Sequence, residues 1–397
     1  MTREKPSDSQ LRYSHLAKAR RVVVKIGSAV LTTNVGLDYP VLDSLATQVE
    51  GLRQNGGEVI LVSSGAVAAG RRKLSLGNRV LSLREKQAAA AVGQGSLMRA
   101  YEKIFEHLGT KVAQVLLTHD AFARRDRYLN SRNTLFTLLQ WGLVPIINEN
   151  DTVSVEELRF GDNDTLGAMV ANLVEADLFI CLTDVAALYN ANPVFDPQAR
   201  PLRVVKRITP EIEKMAGTVN SLVGTGGMLS KIKAARMVTS RGGASIIGPG
   251  REPDILTRIF AGEELGTFFL PEPQKMPGRK HWIAYTLRPK GFLVLDDGAC
   301  RAIIGGGKSL LPSGIIEVRG KFGVGEPVHC LDRAGLVLAA GLVSYTSAAV
   351  GRIKGVKTSV IADILGYKDA DEVIHRDNLV ILSSDPQKWA ATHKNEQ

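Results

Sequence analysis

Lys25 stands where a folded chain rarely leaves a lysine without a partner or a ligand. It lies inside the apolar run Val22-Val-Val-Lys-Ile26, and Gly27 and Ser28 follow the run. A buried charge is costly unless an opposite charge or an anionic ligand neutralises it, and a glycine lets backbone N–H groups approach an anion closely. The pattern therefore indicates an anion site after this strand. The alternative is an edge-strand lysine whose ammonium group reaches solvent.

A second lysine follows a glycine-rich segment. Gly224-Thr-Gly-Gly-Met-Leu-Ser-Lys231 leads into a segment with helical periodicity, and Cys181-Leu-Thr-Asp184 ends an apolar strand. Side chains of a helix lean toward its N-terminus, so Lys231 could reach back toward phosphates bound there. The segment is not a Walker A sequence, and a plain glycine-rich turn is the alternative.

Polar side chains cluster after two further apolar runs. Ser63-Ser-Gly65 follows one run, and Ser64 either binds a carboxylate or phosphate or simply caps the next helix. Asn148-Glu-Asn-Asp151 and Gly161-Asp-Asn-Asp164 form two clusters of amides and carboxylates. Amide donors and carboxylate acceptors suit an amino acid, which carries an ammonium group and carboxylates. The same carboxylates could instead hold Mg²⁺, orient lysines or cap a helix.

The elements that must position these residues alternate between strands and helices. The predicted strands are 22–26, 59–62, 112–117, 143–147, 178–182 and 244–247, and the predicted helices include 40–54, 82–107, 164–176 and 228–240. Short apolar runs that alternate with helices indicate parallel strands covered on both faces. The sequence therefore predicts a three-layer α/β/α sandwich with a mainly parallel sheet, and ligands at the carboxyl ends of its strands.

Composition divides the chain further. The predicted parts are a polar N-terminal extension (1–20), the α/β domain (21–270), a linker rich in proline (271–280), a small β-barrel (281–366) and a C-terminal tail (367–397). In the barrel region, short apolar runs such as 302–304 and 315–319 are separated by turns that contain glycine. Such spacing is typical of a compact β domain.

Charge and cysteine content exclude several classes of protein. The 397 residues carry a net charge of +10, which is concentrated in residues 1–21 and 275–397. The rest of the chain is nearly neutral, so no DNA-wrapping surface is expected there. No apolar run approaches the ~18 residues of a membrane span, and no membrane partner is predicted. The three widely spaced cysteines fit a reducing compartment, and we expect a cytoplasmic protein.

Taken together, the motifs resemble those of the amino acid kinase family, and the resemblance runs from about residue 22 to residue 366. Its carriers are Val24-Lys-Ile-Gly-Ser28, Ser63-Ser-Gly-Ala66, Ile147-Asn-Glu-Asn-Asp151, Gly161-Asp-Asn-Asp164, Leu182-Thr-Asp184 and Gly224-Thr-Gly-Gly-Met228 with Lys231. The C-terminal part, with Asp297-Gly-Ala299 and Leu310-Leu-Pro-Ser-Gly314, resembles a PUA domain. This combination is similar to the branch of the family that phosphorylates the side-chain carboxylate of L-glutamate, the first step of proline biosynthesis.

The resemblance implies a role for each matching residue. Lys25, Lys231 and Asp164 would be catalytic, and Ser64, Asn148, Asp151 and Asn163 would hold glutamate. ATP would be bound by Lys25, Thr183, Asp184, Thr225, Gly226, Gly227, Met228, Leu229, Ser230 and Lys231. The cofactors would be ATP and Mg²⁺, with no residue assigned as a metal ligand.

The resemblance also implies partners, and it leaves alternatives open. A homo-oligomer and feedback inhibition by proline are expected. A different acceptor (aspartate, N-acetylglutamate or carbamate) is one alternative function. The other is an RNA-binding protein that acts through the PUA region, but intact Lys25, Asp164 and Lys231 argue against a degenerate kinase.

Overall fold

The computed structural model describes residues 6–33, 36–77, 79–154, 163–217 and 227–382. The predictions for Gly161, Asp162, Thr225 and Gly226 lie outside these ranges. The chain divides into two units, Met1–Lys275 and Met276–Gln397. None of the helices in the described ranges is long and apolar enough to cross a membrane.

An eight-stranded sheet forms the centre of the first unit. Its strand order is β5-β6-β4-β1-β7-β9-β10-β8, and every described pairing is parallel except that of β9 with β10. The strands are β1 (Arg21–Ile26), β4 (Glu58–Ser63), β5 (Val112–Leu117), β6 (Val144–Glu149), β7 (Leu178–Thr183), β8 (Val204–Val205), β9 (Ala244–Pro249) and β10 (Thr267–Phe269). A separate antiparallel pair joins β2 (Thr32–Thr33) to β3 (Gly36–Leu37). The mainly parallel sheet predicted from the alternating pattern is confirmed.

Helices pack against this sheet. They are α1 (Asp8–Leu16), α2 (Ser28–Leu31), α3 (Tyr39–Gln54), α4 (Ala66–Lys73), α5 (Leu83–His107), α6 (Asp120–Ala123), α7 (Arg125–Gln140), α8 (Asn163–Leu173), α9 (Pro210–Gly217), α10 (Met228–Thr239) and α11 (Ile255–Phe260). The longest, α5, begins with a capping box in which Ser82 and Glu85 satisfy each other's backbone N–H groups.

Two glycines bring α4 and α5 into unusually close contact. A Cβ atom on Gly70 would lie 1.8 Å from the Ala89 carbonyl oxygen, and one on Gly93 would lie 1.8 Å from the Ala66 carbonyl oxygen. No side chain fits at such distances, so both positions require glycine for this packing. The contact fixes α5 against the segment that follows β4, where Ser64 lies.

The N-terminal segment contributes more to the fold than its polar sequence indicates. Ser7 caps α1, and Leu16 at the end of this helix joins the hydrophobic core of the first unit. Arg12 is buried, and its Nη2 donates to the carbonyl oxygens of Glu263 and Leu265 at 2.9 and 2.7 Å. Burial lowers the pKa of Arg12 to about 10.

The second unit is rich in strands and has its own core. Its sheet has the order β12-β11-β13-β14-β15. The strands are β11 (Gly291–Leu295), β12 (Ile315–Gly320), β13 (Pro327–Leu331), β14 (Val337–Leu342) and β15 (Leu379–Ile381), and the helices are α12 (Gly278–Tyr285), α13 (Asp297–Gly306), α14 (Ser347–Ile353) and α15 (Ile361–Leu365). The strand-rich second domain predicted from the short apolar runs is confirmed.

Two local features of this unit differ from the sequence pattern. Residues 302–304 read as a strand but belong to α13, because Asp296 caps that helix by accepting from the Ala299 N–H at 2.6 Å, and Cys300 and Ile303 pack into the core one turn apart. A three-residue apolar run does not distinguish the two periodicities. In addition, β15 comes from the predicted C-terminal tail, because its backbone completes the exposed edge of β14.

Candidate active site

A cleft of about 930 Å³ opens in the first unit where several parallel strands end. Its lining includes Lys25 in β1, Ser64 after β4, Asn148 in β6 and Thr183 in β7. These strands are neighbours in the sheet, so their carboxyl ends meet at one edge. Residues that are far apart in the sequence are thereby brought into one cavity.

Asp164 is the centre of the charged group in this cleft. Its Oδ1 lies 2.5 Å from Lys25 Nζ, and its Oδ2 lies 3.1 Å from Lys231 Nζ. The three residues are only 1%, 6% and 7% exposed, for Asp164, Lys25 and Lys231 respectively. One carboxylate thus holds two ammonium groups within the protein interior, and Lys25 is not a surface lysine.

Two neutral side chains complete the environment of this carboxylate. Ser230 Oγ donates to Asp164 Oδ2 at 2.8 Å, and Cys181 Sγ donates to Asp164 Oδ1 at 3.3 Å. Burial alone would raise the pKa of Asp164, but Lys25 and Lys231 outweigh burial and lower the pKa to about 2. Burial, together with the neighbouring carboxylate, raises the pKa of the Cys181 thiol. Asp164 is therefore ionised at neutral pH, and Cys181 is a neutral thiol donor.

The elements around the charged group are shaped to hold it. Lys231 lies in the first turn of α10, so its side chain reaches back to the start of that helix. A Cβ atom on Gly167 of α8 would lie 3.2 Å from Lys25 Cβ and 2.8 Å from the Phe179 ring. The absence of a side chain at position 167 lets α8 pack closely on β1 and β7. That packing places Asp164, one turn earlier in α8, beside Lys25.

A chain of amide and hydroxyl groups lies beside the charged group. Asn163 Nδ2 donates to Ser64 Oγ at 2.9 Å and to Asn148 Oδ1 at 3.1 Å. Asn148 Nδ2 in turn donates to Gln94 Oε1 at 3.0 Å. Asp151, the fourth residue predicted to hold the acceptor, also lines the cleft. The structure thus brings the four predicted acceptor residues to one region.

Five of the residues predicted to bind the nucleotide line the cleft where β7 ends and α10 begins: Thr183, Asp184, Gly227, Met228 and Lys231. Thr183 Oγ1 donates to Asp184 Oδ1 at 2.9 Å, and both residues line the cleft together with Gly227 and Met228. Ser230 contacts Asp164 instead, and Leu229 does not line the cleft. The assignments of Thr225 and Gly226 cannot be compared with the described residues.

Several residues that line the cleft were not predicted from the sequence. Glu149 is buried, lines the cleft and accepts from Ser154 Oγ at 3.0 Å, although its place in the Asn-Glu-Asn-Asp cluster was a signal. Arg71 and Lys86 also line the cleft, but each lies in an ordinary charged stretch of a helix. Within the described ranges, no group of three or more His, Cys, Asp or Glu side chains has an arrangement that could hold a metal ion.

Comparison with known proteins covers most of the chain. Residues 20–247 match the amino acid kinase family, and residues 291–365 match the PUA domain. A glutamate 5-kinase of Desulfotalea psychrophila is 59% identical over 375 residues, which make up 94% of this chain and 100% of that protein. Glutamate 5-kinases of Syntrophotalea carbinolica and Geobacter sulfurreducens are each 51% identical over 94% of this chain and 100% of their own length. The similarity therefore extends well beyond the motifs around the cleft.

The lowered pKa of Asp164 predicts a specific dependence of stability on pH. A carboxyl group whose pKa falls from 3.8 to about 2 on folding stabilises the protein above its unfolded pKa. That contribution, on the order of 2 kcal/mol, is lost as the pH falls from about 4 to about 2. We expect Asp164→Asn to be strongly destabilised at pH 7, by about 3–5 kcal/mol, because two buried ammonium groups lose their counter-charge.

Urea unfolding of the wild type and Asp164→Asn between pH 6 and pH 2 measures this contribution. The difference in free energy of unfolding between the two proteins should shrink by about 2 kcal/mol toward pH 2. A difference that stays constant over this range would show that Asp164 is not held ionised by the two lysines.

Proposed function

The chain belongs to the amino acid kinase family and phosphorylates the side-chain carboxylate of L-glutamate with ATP, and we propose that three sets of residues in the cleft divide this work. The resemblance predicted from the motifs is confirmed by relatives that match 94% of the chain. The alternatives, another carboxylate acceptor or an RNA-binding protein with a degenerate kinase domain, are not favoured by these relatives.

The observation that carries the proposed mechanism is the pair of lysines on the two oxygens of Asp164. A carboxylate acceptor is already a nucleophile, so the reaction requires no general base. It requires two anions to be brought together and negative charge on the migrating phosphoryl group to be neutralised. We assign that neutralisation to Lys25 and Lys231, and Asp164 orients both ammonium groups.

The acceptor region is assigned to Ser64, Asn148, Asp151 and Asn163. These residues offer hydroxyl, amide and carboxylate groups, and L-glutamate offers an ammonium group and carboxylates that can pair with them. Their position beside Lys25 and Asp164 supports the assignment, because Asn163 and Asp164 are consecutive in α8. The side-chain carboxylate of a bound glutamate would then meet the phosphoryl group near the lysines.

The nucleotide region is assigned to Thr183, Asp184 and the segment 225–231. Gly227 at the start of α10 makes no side-chain cap, so the first N–H groups of this helix suit phosphate oxygens. Mg²⁺ would accompany the ATP phosphates and supply further positive charge, as it does in other kinases. Asp184 is the carboxylate in this part of the cleft that could approach such an ion.

Further properties of the family are proposed for this chain on the same basis. Proline retains the α-carboxylate and amino nitrogen of glutamate but lacks the side-chain carboxylate. It could therefore occupy the acceptor region around residues 148–163 without reacting, which would account for feedback inhibition. We also propose a homo-oligomer and a cytoplasmic location; the three free, buried cysteines fit a reducing compartment.

An assay with hydroxylamine tests the acceptor directly, because hydroxylamine converts acyl phosphates to stable hydroxamates. With Mg²⁺ and ATP, we expect hydroxamate formation from L-glutamate at a kcat/KM at least tenfold above those for aspartate and N-acetylglutamate. The preference is expected because relatives that match this chain over 94% of its length are glutamate 5-kinases. Equal rates with all three acids would contradict glutamate as the substrate.

Replacement of either lysine tests the proposed mechanism. Lys25→Ala and Lys231→Ala should each lower kcat by roughly 10²–10³, the scale for the loss of one preorganised electrostatic donor. KM for glutamate should change much less, because other residues hold the acceptor. Lys25→Arg should not restore activity, since the planar guanidinium group of arginine cannot take the place of a compact ammonium group. The exposed Lys73→Ala, which removes the same charge outside the cleft, is the matched control. A folded Lys25→Ala enzyme with kcat within a few-fold of the wild type would remove Lys25 from the mechanism.

A further inference from the structure

Gln94 lies next to the acceptor region without lining the cleft itself. It is in α5, and the preceding residue is Gly93, whose contact with the Ala66 carbonyl holds α5 against the start of α4. This packing fixes the part of the α5 backbone that carries Gln94. Its Oε1 accepts the hydrogen bond from Asn148 Nδ2 at 3.0 Å.

This hydrogen bond completes the environment of the Asn148 amide. Asn148 is only 4% exposed, and its Oδ1 accepts from the Glu149 N–H at 2.9 Å and from Asn163 Nδ2 at 3.1 Å. Both partners are donors, so the oxygen must face them and the Nδ2 group must face Gln94. Without the Gln94 oxygen, a buried NH₂ group would lose its acceptor, and the free-energy difference that holds the amide in this orientation would become smaller.

The orientation of the Asn148 amide determines the hydrogen bonding of Asn163 and, through Asn163, that of Ser64. Asn163 Nδ2 donates to Asn148 Oδ1 at 3.1 Å and to Ser64 Oγ at 2.9 Å, and it makes a longer contact of 3.4 Å with the Ser63 carbonyl oxygen. Within the described ranges, no hydrogen bond reaches Asn163 Oδ1, which therefore remains an acceptor. Since Ser64 Oγ accepts from Asn163, its own hydroxyl hydrogen remains to be donated.

The free hydrogen of the Ser64 hydroxyl and the free Asn163 Oδ1 are one donor and one acceptor, which suit the two charged groups of an amino acid. The Ser64 hydroxyl can donate to a carboxylate, and Asn163 Oδ1 can accept from an ammonium group. Reversal of the Asn148 amide would place its Nδ2 group against Asn163 Nδ2, so that two donors face each other. The Asn163 amide would then have to rotate as well. The direction of hydrogen bonding in the acceptor region is thus held at one end of the Asn148 amide by the Glu149 N–H and at the other end by an oxygen outside the cleft.

We propose that Gln94 is a positioning residue for the acceptor: it holds Asn148 in one orientation, and through Asn148 and Asn163 it sets which groups face glutamate. The inference rests on the proposed function, in which Ser64, Asn148 and Asn163 bind the acceptor. Gln94 Nε2 is buried and has no hydrogen-bond partner in the described part of the chain. A glutamine that leaves a buried donor unsatisfied is a poor choice for stability alone, which favours a role through its oxygen.

Steady-state kinetics of Gln94→Leu tests the proposal. KM for glutamate should rise about tenfold, the equivalent of one hydrogen bond, while kcat and KM for ATP stay within about twofold. The matched control is Gln48→Leu, because Gln48 is a buried glutamine whose Oε1 accepts from the Leu256 N–H outside the cleft. Gln48→Leu should lower stability and leave KM for glutamate unchanged. If Gln94→Leu does not fold, Gln94→Met removes the amide with less change in shape.

A double-mutant cycle with Asn148→Ala distinguishes a positioning role from a structural one. If Gln94 acts through Asn148, adding Gln94→Leu to Asn148→Ala should raise KM for glutamate no further. Fully additive effects would overturn the proposal, as would an unchanged KM in Gln94→Leu when Asn148→Ala raises it. If Asn148→Ala itself leaves KM for glutamate unchanged, the acceptor region of the proposed function is wrong, and the inference is overturned with it.

Discussion

The contact of Asp164 with two ammonium groups is the interaction around which the cleft is organised. Without this carboxylate, Lys25 and Lys231 would place two like charges in a low-dielectric interior, where their repulsion is strong. With it, the three groups carry one net positive charge that is available to an entering phosphate. A buried ion pair is weak evidence for stability, because desolvation offsets much of the attraction. The arrangement is better explained by the proposed role of the two lysines in neutralising a phosphoryl group.

The parallel sheet makes this arrangement possible by bringing the ends of neighbouring strands together. Lys25 in β1 pairs in register with Val62 of β4 and with Cys181 of β7, so three adjacent strands end at nearly the same level. Charged, hydroxyl and amide side chains therefore meet in the cleft without long loops to carry them there. The close contact of Gly167 with Lys25 and Phe179 lets α8 pack directly on two of these strands. The proposed positioning of the acceptor and the proposed neutralisation of the phosphoryl group would therefore both follow from how the strands and helices end.

Much of this was accessible from the sequence, because the relevant signals are local. A lysine inside an apolar run indicated a partner or an anionic ligand for Lys25 but left an edge-strand lysine as the alternative, which the structure excludes. The periodicity of the segment after Gly227 predicted that Lys231 lies in the first turn of a helix. The roles of Gln94 and Cys181 were not accessible, since Gln94 bonds to a residue 54 positions away and both have types common in cores and helices. The predictions for Thr225 and Gly226 stay predictions.

Affinity for a transition-state mimic measures most directly whether Lys25 stabilises the migrating phosphoryl group. ADP with tetrafluoroaluminate, Mg²⁺ and glutamate imitates the planar phosphoryl group, whereas ADP alone does not. By calorimetry, Lys25→Ala should lose roughly 100-fold in affinity for the mimic and only a few-fold for ADP, since the lysine acts mainly on charge that develops in the transition state. Equal losses for both ligands, or an unchanged affinity for the mimic, would contradict electrostatic catalysis by the two lysines on Asp164.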